Sequence, residues 1–187
     1  MFNLKDKVVL ITGATGGIGG AIAGQMKAAG ATVVITGRSA EKLSAFDDSF
    51  IKIVSDLSAE GTAEKLISDV IEKSGRIDVL INNAAIALNK LFIDPPLEDF
   101  DNAFNTNIRG NFLMTKQVLP QMLSNGKGRI INISSIWGQT GGALESVYSS
   151  TKGAIIAFTK ALAKEYALSG ITINTIAPGV IDTDMIR

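Results

Sequence analysis

Residues 8–19 of the chain read VVLITGATGGIG, an apolar run that ends in closely spaced glycines. Val8 to Thr12 have the composition of a buried β-strand, and the glycines follow where such a strand would turn into a helix. A turn without Cβ atoms lets backbone N–H groups approach an anion, and the dipole of the following helix favours negative charge. The stretch therefore predicts a strand, turn and helix that bind a pyrophosphate, with a merely tight turn as the alternative.

The same stretch opens a run without charged residues from Val8 to Met26, which is long enough for a membrane span or a signal-peptide core. Six of these residues are glycines, and Gln25 is polar. The run is therefore interpreted as a buried strand, a turn and the start of a helix, and no membrane partner is predicted.

Composition excludes several kinds of protein. The 187 residues are 46% apolar and 19% charged, which predicts one globular domain, and 18 basic residues balance 18 acidic ones. This balance lacks the positive surface of a nucleic-acid binder. The chain has no histidine and no cysteine, so Cys/His zinc sites and thiol nucleophiles are excluded, no metal site is predicted, and a reducing cytoplasm is expected.

Six short runs rich in valine and isoleucine alternate with longer segments of helical period, which is typical of a parallel sheet covered on both faces. The predicted strands are 8–12, 32–36, 51–54, 77–81, 129–133 and 171–176. The predicted helices are 17–29, 40–46, 59–74, 97–124 and 146–169, with a kink or break near Pro120. Right-handed crossovers favour a doubly wound, Rossmann-like α/β fold of strand order 3-2-1-4-5-6.

Ligands of such sheets bind beyond the carboxyl ends of the strands, so the residues there indicate the ligand. Gly37-Arg38-Ser39 follows the second strand without a carboxylate, and Arg38 is suited to a ribose 2′-phosphate, which favours NADP(H). An ordinary solvated arginine is the alternative. Asp56 and Leu57, after the third strand, could receive an adenine, and residues 82–85 form a turn of small residues after the fourth.

Candidate catalytic residues follow the fifth strand. Ser135 comes directly after it, and Tyr148 and Lys152 lie four residues apart in a helical segment, hence on one helix face. An ammonium near a phenol stabilises the phenolate, which predicts a lowered pKa for Tyr148 and a proton donor near neutral pH. The alternative is a tyrosine and a lysine on a solvated helix face.

Taken together, these motifs resemble the short-chain dehydrogenase/reductase family over the whole chain, with the closest similarity to its 3-oxoacyl-carrier-protein reductase-like branch. The similarity rests on Thr12 to Gly19, Asn82 to Ala84, Asn107, Ser135, Tyr148 to Lys152, and Pro178-Gly179, in the family's order and spacing. It implies an oxidoreductase that interconverts a ketone and a secondary alcohol with NADP(H).

The resemblance also implies a role for each matched residue. Tyr148 would exchange a proton with the substrate oxygen as general acid/base, Ser135 would polarise the carbonyl, and Asn107 would support a water relay. Lys152 would lower the tyrosine pKa and hold the nicotinamide ribose. The implied cofactor-binding residues are Gly13, Thr15, Gly17, Ile18 and Gly19 at the pyrophosphate, Arg38 at the ribose phosphate, Asp56 and Leu57 at adenine, Asn83 near its ribose, Tyr148 and Lys152, and Pro178, Gly179, Ile181 and Thr183 near the nicotinamide.

The implied partners are a small-molecule or carrier-borne carbonyl substrate and further copies of the chain, as a homodimer or homotetramer. Lys127 and Arg129 are the only basic residues shortly before the fifth strand, which gives docking of a carrier protein little support. Ser135 to Gly138 with Glu145 also resemble a branch that reduces an amino-ketone on modified elongation factor P. Glu145 could pair with an amine or serve as an ordinary acid at a helix start.

The chain departs from the family's pattern at three places, one of which is Ala85, where a glycine usually closes the turn after the fourth strand. Gly16 stands where NADP-preferring relatives often carry a basic residue, so the preference for NADP(H) rests on Arg38 and NAD(H) stays an alternative. The sequence stops at Arg187, before the family's C-terminal strand, which predicts a single NAD(P)-binding domain, 1–187, truncated at its C-terminus. A catalytically idle nucleotide-binding or scaffold protein of the same fold is the alternative function.

Overall fold

The computed structural model describes residues 3–183 of the chain. The strands are β1 (Val8–Thr12), β2 (Thr32–Gly37), β3 (Ile51–Val54), β4 (Val79–Asn82), β5 (Gly128–Ile133) and β6 (Ile171–Ile176). The helices are α1 (Gly17–Ala28), α2 (Ala40–Ser44), α3 (Thr62–Ser74), α4 (Leu97–Phe104), α5 (Gly110–Ser124), α6 (Trp137–Thr140) and α7 (Ser146–Glu165). All six strands are parallel in the order β3-β2-β1-β4-β5-β6, which confirms the predicted doubly wound α/β fold.

The central strands are apolar throughout because helices cover both faces of the sheet. Leu10, Leu80 and Ile130 point to the face that carries α3, α5 and α7. Val9 and Ile35 point to the opposite face, which carries α1 and α2. The uncharged run of residues 8–26 is therefore a strand, a turn and a helix, as interpreted from the sequence. Within residues 3–183, no helix is long and apolar enough to cross a membrane.

The predicted helix 97–124 is interrupted, but not at the predicted place. Asn105–Arg109 form a π-helical turn between α4 and α5, whereas Pro120 lies inside α5 without ending it. The prediction of a break near Pro120 was wrong, since the φ angle of proline is compatible with a helix and the buried Val118 and Met122 hold α5 against the sheet, although the ring removes one hydrogen bond. A π turn inserts an extra residue, which changes the directions of the side chains around it, and such turns occur frequently at functional sites.

Three smaller differences concern short or fraying segments. The third helix begins at Thr62 rather than at residue 59, and α7 ends at Glu165 rather than at residue 169. Helix α6 was not predicted, because four residues are too few to show a helical period.

A buried polar network fastens α5 and α7 to the sheet. Asn82 and Asn132 are neighbours in the register of β4 and β5, and Asn82 Nδ2 donates to Asn132 Oδ1 over 2.9 Å. Asn132 Nδ2 donates to Thr159 Oγ1 of α7 over 2.9 Å, and Asn82 Nδ2 also donates to Thr115 Oγ1 of α5 over 3.1 Å. Because buried polar groups are costly without partners, this network fixes where both helices lie on the sheet.

Candidate active site

The glycine turn after β1 is closely packed against the end of β4. Gly13 has a φ angle of +64°, and a Cβ atom there would lie 2.7 Å from Ala84 Cα. A Cβ atom at Gly19 would collide with the Gly13 carbonyl oxygen. Only glycine fits both positions, so the backbone of the turn reaches the end of β4 directly.

The start of α1 is suited to an anion. Gly16 occupies the N-cap position without a side-chain cap, and the first turn contains no acidic residue. The first N–H groups of a helix lack partners within it, and the helix dipole places partial positive charge there. The predicted pyrophosphate site therefore has the physical properties that its ligand requires.

Asn83 and Thr12 hold the turn in this shape. Asn83 Nδ2 donates to the carbonyl oxygens of Thr12 and Gly13 over 3.1 and 2.9 Å. Thr12 Oγ1 accepts from the backbone N–H groups of Asn83 and Ala84 over 3.0 and 3.1 Å. Thr12 opens the motif on which the resemblance rests, but no role was predicted for its side chain from the sequence.

A cleft of about 470 Å³ lies at the carboxyl ends of the strands. Ten of the cofactor-binding residues implied by the resemblance line it: Gly13, Thr15, Gly17, Ile18, Gly19, Arg38, Asp56, Leu57, Asn83 and Thr183. The other five are not among its lining residues: Tyr148, Lys152, Pro178, Gly179 and Ile181. The cleft thus brings together residues that follow β1 to β4 with Thr183, which follows β6, whereas Tyr148 and Lys152 lie on α7, which follows β5.

Two cations and one carboxylate line the cleft beyond β2 and β3. Arg38 is exposed there, and Lys42 of α2, which the sequence analysis missed, lines the same wall. Asp56 Oδ1 accepts from the Ser58 hydroxyl and N–H groups over 2.7 and 3.0 Å. These bonds, and more weakly Arg38, lower the pKa of Asp56, so the carboxylate stays ionised at neutral pH.

Thr36, near the end of β2, lines the cleft, but its hydroxyl oxygen is buried and has no hydrogen-bond partner among residues 3–183. The groups that the cleft offers to a ligand are therefore those of the glycine turn, the start of α1 and the cations. The glycine cradle, the uncapped helix start and the cations fit a phosphorylated dinucleotide.

Lys152 is the most deeply buried cationic side chain at the site. Only 3% of its surface is exposed, and its Nζ donates to the carbonyl oxygen of Ile133, the last residue of β5, over 2.9 Å. Burial disfavours the charged form and lowers the pKa of Lys152 from 10.5 to about 8. The group is therefore an ammonium at neutral pH and loses its proton at a mildly alkaline pH.

Tyr148 lies beside Lys152, with Lys152 Nζ 5.5 Å from the centre of its ring. The predicted lowering of the tyrosine pKa was wrong, because burial raises it, the Ser135 side chain lowers it and the negative charge of Glu145 raises it further. The ammonium lies over the ring and donates its bond to Ile133 rather than to the phenol oxygen. Tyr148 is therefore a neutral phenol, able to donate a proton, throughout the neutral range.

Ser135 lies in a close-packed turn after β5. Its Oγ accepts from the Trp137 N–H over 3.2 Å, and the Ile136 N–H donates to the Pro178 carbonyl oxygen over 2.8 Å. A Cβ atom at Gly138 would lie 2.6 Å from the Lys152 carbonyl carbon, so glycine lets this turn approach α7. The turn thereby brings the Ser135 side chain close enough to Tyr148 to affect its pKa.

Asn107 projects from the π turn into the interior, where it is 1% exposed. Its Oδ1 accepts from the Ile86 N–H over 2.8 Å, and its Nδ2 donates to the Ile86 carbonyl oxygen and to Thr151 Oγ1 over 2.9 and 3.0 Å. Both N–H bonds of the amide are thus used within the protein. The predicted water relay is not tested by these contacts, which make the side chain a clamp between the loop after β4 and α7.

Glu145 immediately precedes α7, but its side chain does not cap the helix and the first turn of the helix contains no acidic residue. The prediction of an ordinary solvated acid in that turn was therefore wrong. Its Oε2 is buried without a hydrogen-bond partner among the described residues, and burial raises the pKa of the carboxyl. Its charge also raises the pKa of Tyr148. An unpaired carboxylate oxygen therefore lies within electrostatic reach of the phenol.

The chain is similar to proteins of a known family. The family model described as short chain dehydrogenase matches residues 7–187. The 3-oxoacyl-[acyl-carrier-protein] reductase of Aquifex aeolicus is 40% identical over 190 residues, which cover 97% of this chain and 77% of that protein. The reductase of the same name from Rickettsia conorii is 40% identical over 189 residues, covering 99% and 77%.

A solved structure shares the fold almost completely. The 3-ketoacyl-(acyl-carrier-protein) reductase of Brucella melitensis, crystallised in complex with NADH, superposes with a TM-score of 0.94 at 30% sequence identity. The match covers 98% of this chain and 80% of that chain.

The low pKa of Lys152 makes stability depend on pH in a defined direction. Between pH 8 and 10.5 the unfolded chain holds a proton at this lysine that the folded chain has lost, so the free energy of unfolding rises with pH across this range. The contribution is constant below the folded pKa. Denaturant unfolding should show that wild type gains on the order of 3 kcal/mol relative to Lys152→Met over this range.

Lys160, exposed on the same helix, provides the matched control. Lys160→Met should follow wild type at every pH. A constant difference between wild type and Lys152→Met would show that the lysine is not desolvated in the folded protein.

Proposed function

The chain belongs to the short-chain dehydrogenase family, and from this premise we propose that it is an NADP(H)-dependent reductase that interconverts a ketone and a secondary alcohol. The observation that carries the proposal is the convergence of Ser135, Tyr148 and buried Lys152 at the end of β5. These side chains supply a hydrogen-bond donor, a proton donor and a cation, in a chain without histidine.

Ser135 and Tyr148 serve the substrate oxygen. The two side chains interact with each other, so an oxygen atom that reaches one hydroxyl is close to the other. In reduction, the Ser135 hydroxyl donates a hydrogen bond that polarises the carbonyl, and the Tyr148 phenol gives its proton to the developing alkoxide. The raised pKa of Tyr148 keeps that proton in place until the oxygen becomes basic.

Lys152 supplies positive charge next to the tyrosine. Its ammonium, below a pKa of about 8, opposes the negative charge that develops when the phenol gives up its proton. The residues of the cleft fit the cofactor: the start of α1 would hold the pyrophosphate and Arg38 would hold the 2′-phosphate. A bound nicotinamide ring would supply or accept the hydride.

A catalytically idle nucleotide-binding protein is the competing function. Such a protein has no need to keep an ammonium buried 5.5 Å from the ring of a phenol, because an unneutralised buried charge is costly. This cost therefore favours an enzyme over a scaffold.

Two substrate classes are supported by different observations. The relatives are named 3-oxoacyl-carrier-protein reductases, which favours a 3-oxoacyl thioester on a carrier. The unpaired Glu145 Oε2 favours instead a ketone that carries an ammonium group, which could reach this carboxylate while its carbonyl meets Tyr148. We give precedence to the thioester because two relatives at 40% identity carry that name.

The proposal extends to assembly and location. Phe104, Ile108, Phe112, Ile155 and Phe158 line an apolar groove of about 370 Å³ between the π turn, α5 and α7. Exposed apolar surface of this kind is unfavourable in water, and a second copy of the chain related by a two-fold axis would cover it. The protein is therefore proposed to be a homodimer or homotetramer.

The proposed location is the cytoplasm, because the chain contains no cysteine and so needs no oxidising compartment for disulfide formation.

Replacing Tyr148 by phenylalanine tests the proposed chemistry. The ring remains while the proton donor is lost, so NADPH consumption should fall by roughly 10² to 10⁴ with a 3-oxoacyl thioester, and NADPH affinity should be nearly unchanged. Tyr166, the second of two tyrosines in the chain, provides the control, and Tyr166→Phe should keep the wild-type rate.

More than about a tenth of the wild-type rate in Tyr148→Phe would contradict the mechanism, since loss of general acid catalysis predicts a larger effect. A short amino-ketone assayed in parallel separates the substrate classes. If the wild type turned over the amino-ketone faster than the 3-oxoacyl thioester, and Glu145→Gln lost this advantage, the amino-ketone would become the preferred substrate class.

Arg38 should decide between the two nicotinamide cofactors. A charged contact to the 2′-phosphate is worth roughly 1.5 to 3 kcal/mol, so wild type should bind NADPH about tenfold to a hundredfold more tightly than NADH. Arg38→Ala should remove most of this difference in fluorescence titrations. Arg129→Ala, at the opposite end of the sheet, should leave it unchanged. Equal wild-type affinities for both cofactors would refute the assignment.

Phe112 should control assembly through the apolar groove. It is 45% exposed, so Phe112→Asp is compatible with folding but places a charge against the partner copy. In sedimentation velocity at micromolar concentration, wild type should be oligomeric and Phe112→Asp monomeric. Phe92→Asp, at a phenylalanine that is 76% exposed and outside the groove, should remain oligomeric. A monomeric wild type would disprove the proposed assembly.

A further inference from the structure

We propose that Thr151 is a positioning residue for the reaction, because its hydroxyl links Asn107 and the wall of the cofactor cleft to the helical turn that carries Tyr148 and Lys152. The expected effect of Thr151 on turnover rests on the proposed function. The linkage itself is a physical property of the fold and can be measured separately.

The contacts of Thr151 form a continuous chain. The residue is completely buried, and its Oγ1 donates to the Tyr148 carbonyl oxygen over 2.7 Å. The same oxygen accepts from Asn107 Nδ2 over 3.0 Å. Asn107 in turn binds both the N–H and the carbonyl oxygen of Ile86, which lines the cofactor cleft. Three successive hydrogen-bonded contacts thus join the cleft wall to the backbone of Tyr148: Ile86 to Asn107, Asn107 to Thr151, and Thr151 to Tyr148.

The Thr151 hydroxyl completes this series of hydrogen bonds. It accepts one hydrogen bond while donating another, which alanine or valine cannot do. Without it, one N–H bond of the buried Asn107 amide would lose its acceptor. An unsatisfied buried donor is costly, so we expect the amide to shift and to loosen its hold on Ile86.

Ser134 holds the same helical turn from the other side, since its Oγ donates to the Lys152 carbonyl oxygen over 2.7 Å. The turn that carries Tyr148 and Lys152 is therefore tied to β5 by one hydroxyl and to the π turn by another. Because small displacements of reacting groups lower rates strongly, the Thr151 bond is expected to matter for turnover more than for folding.

The chain contains a matched control for this experiment. Thr159 lies on the same helix, is 4% exposed, accepts from Asn132 Nδ2 over 2.9 Å and donates to the Ile155 carbonyl oxygen over 2.8 Å. Its hydroxyl therefore makes the same two kinds of bond as that of Thr151. It differs in being bound to the sheet rather than to the loop that lines the cleft.

The test compares Thr151→Val, Thr151→Ser and Thr159→Val in the full chain. Thr151→Val should lower kcat by about tenfold to a hundredfold and leave KM for NADPH nearly unchanged. Thr151→Ser, which keeps the hydroxyl, should restore kcat. Thr159→Val should lower the melting temperature by a similar amount but keep the wild-type kcat.

Hydrogen exchange of the backbone amide of Ile86 measures the linkage without any turnover. This amide donates to Asn107 Oδ1, so it should exchange faster in Thr151→Val and at the wild-type rate in Thr159→Val and Thr151→Ser. The inference would be overturned if the Ile86 amide exchanged at the same rate in Thr151→Val and Thr159→Val, or if the two variants had the same kcat. Absence of ketone reduction by wild type would instead refute the proposed function, and the exchange rates would still decide whether Thr151 holds the loop.

Discussion

The hydrogen bond from Lys152 Nζ to the Ile133 carbonyl oxygen is the interaction on which the arrangement of the site depends. It joins a helix to the end of β5 through a side chain that is almost fully buried. Burying a cation is unfavourable unless a hydrogen-bonded or charged partner compensates for the lost solvation, and the lowered pKa of Lys152 reflects that cost. Gly138 lets the turn that contains Ser135 approach α7 at this lysine, so the serine and tyrosine hydroxyls come together as a consequence.

The parallel sheet supplies the second constraint. All six strands end at the same edge, so the residues that follow them converge although they are distant in sequence. The glycine turn after β1 and the turn after β4 touch through Gly13 and Ala84, so residues of both turns line the cleft. The polar network of Asn82, Asn132 and Thr159 also ties α7 to the sheet, seven residues beyond Lys152.

Apolar periodicity and glycine spacing are local properties, so they were sufficient to predict the strand order and the glycine turn after β1. Most of the other residues that line the cleft were implied only by the resemblance to a family. The π turn was not predictable in this way, since its extra residue is stabilised by the contacts of Asn107 with Ile86 and Thr151. The direction of the Tyr148 pKa shift also escaped prediction. Spacing on a helix places Lys152 near the tyrosine, but burial and the charge of Glu145 are properties of the folded chain.

A crystal structure with NADPH and an unreactive ketone analogue is the decisive test of how Ser135 and Tyr148 act together. The analogue's oxygen should lie within hydrogen-bond distance of both Ser135 Oγ and Tyr148 Oη, with the pyrophosphate at the start of α1. An oxygen that contacts neither hydroxyl, in a crystal whose cleft holds the cofactor as described, would contradict the proposed mechanism.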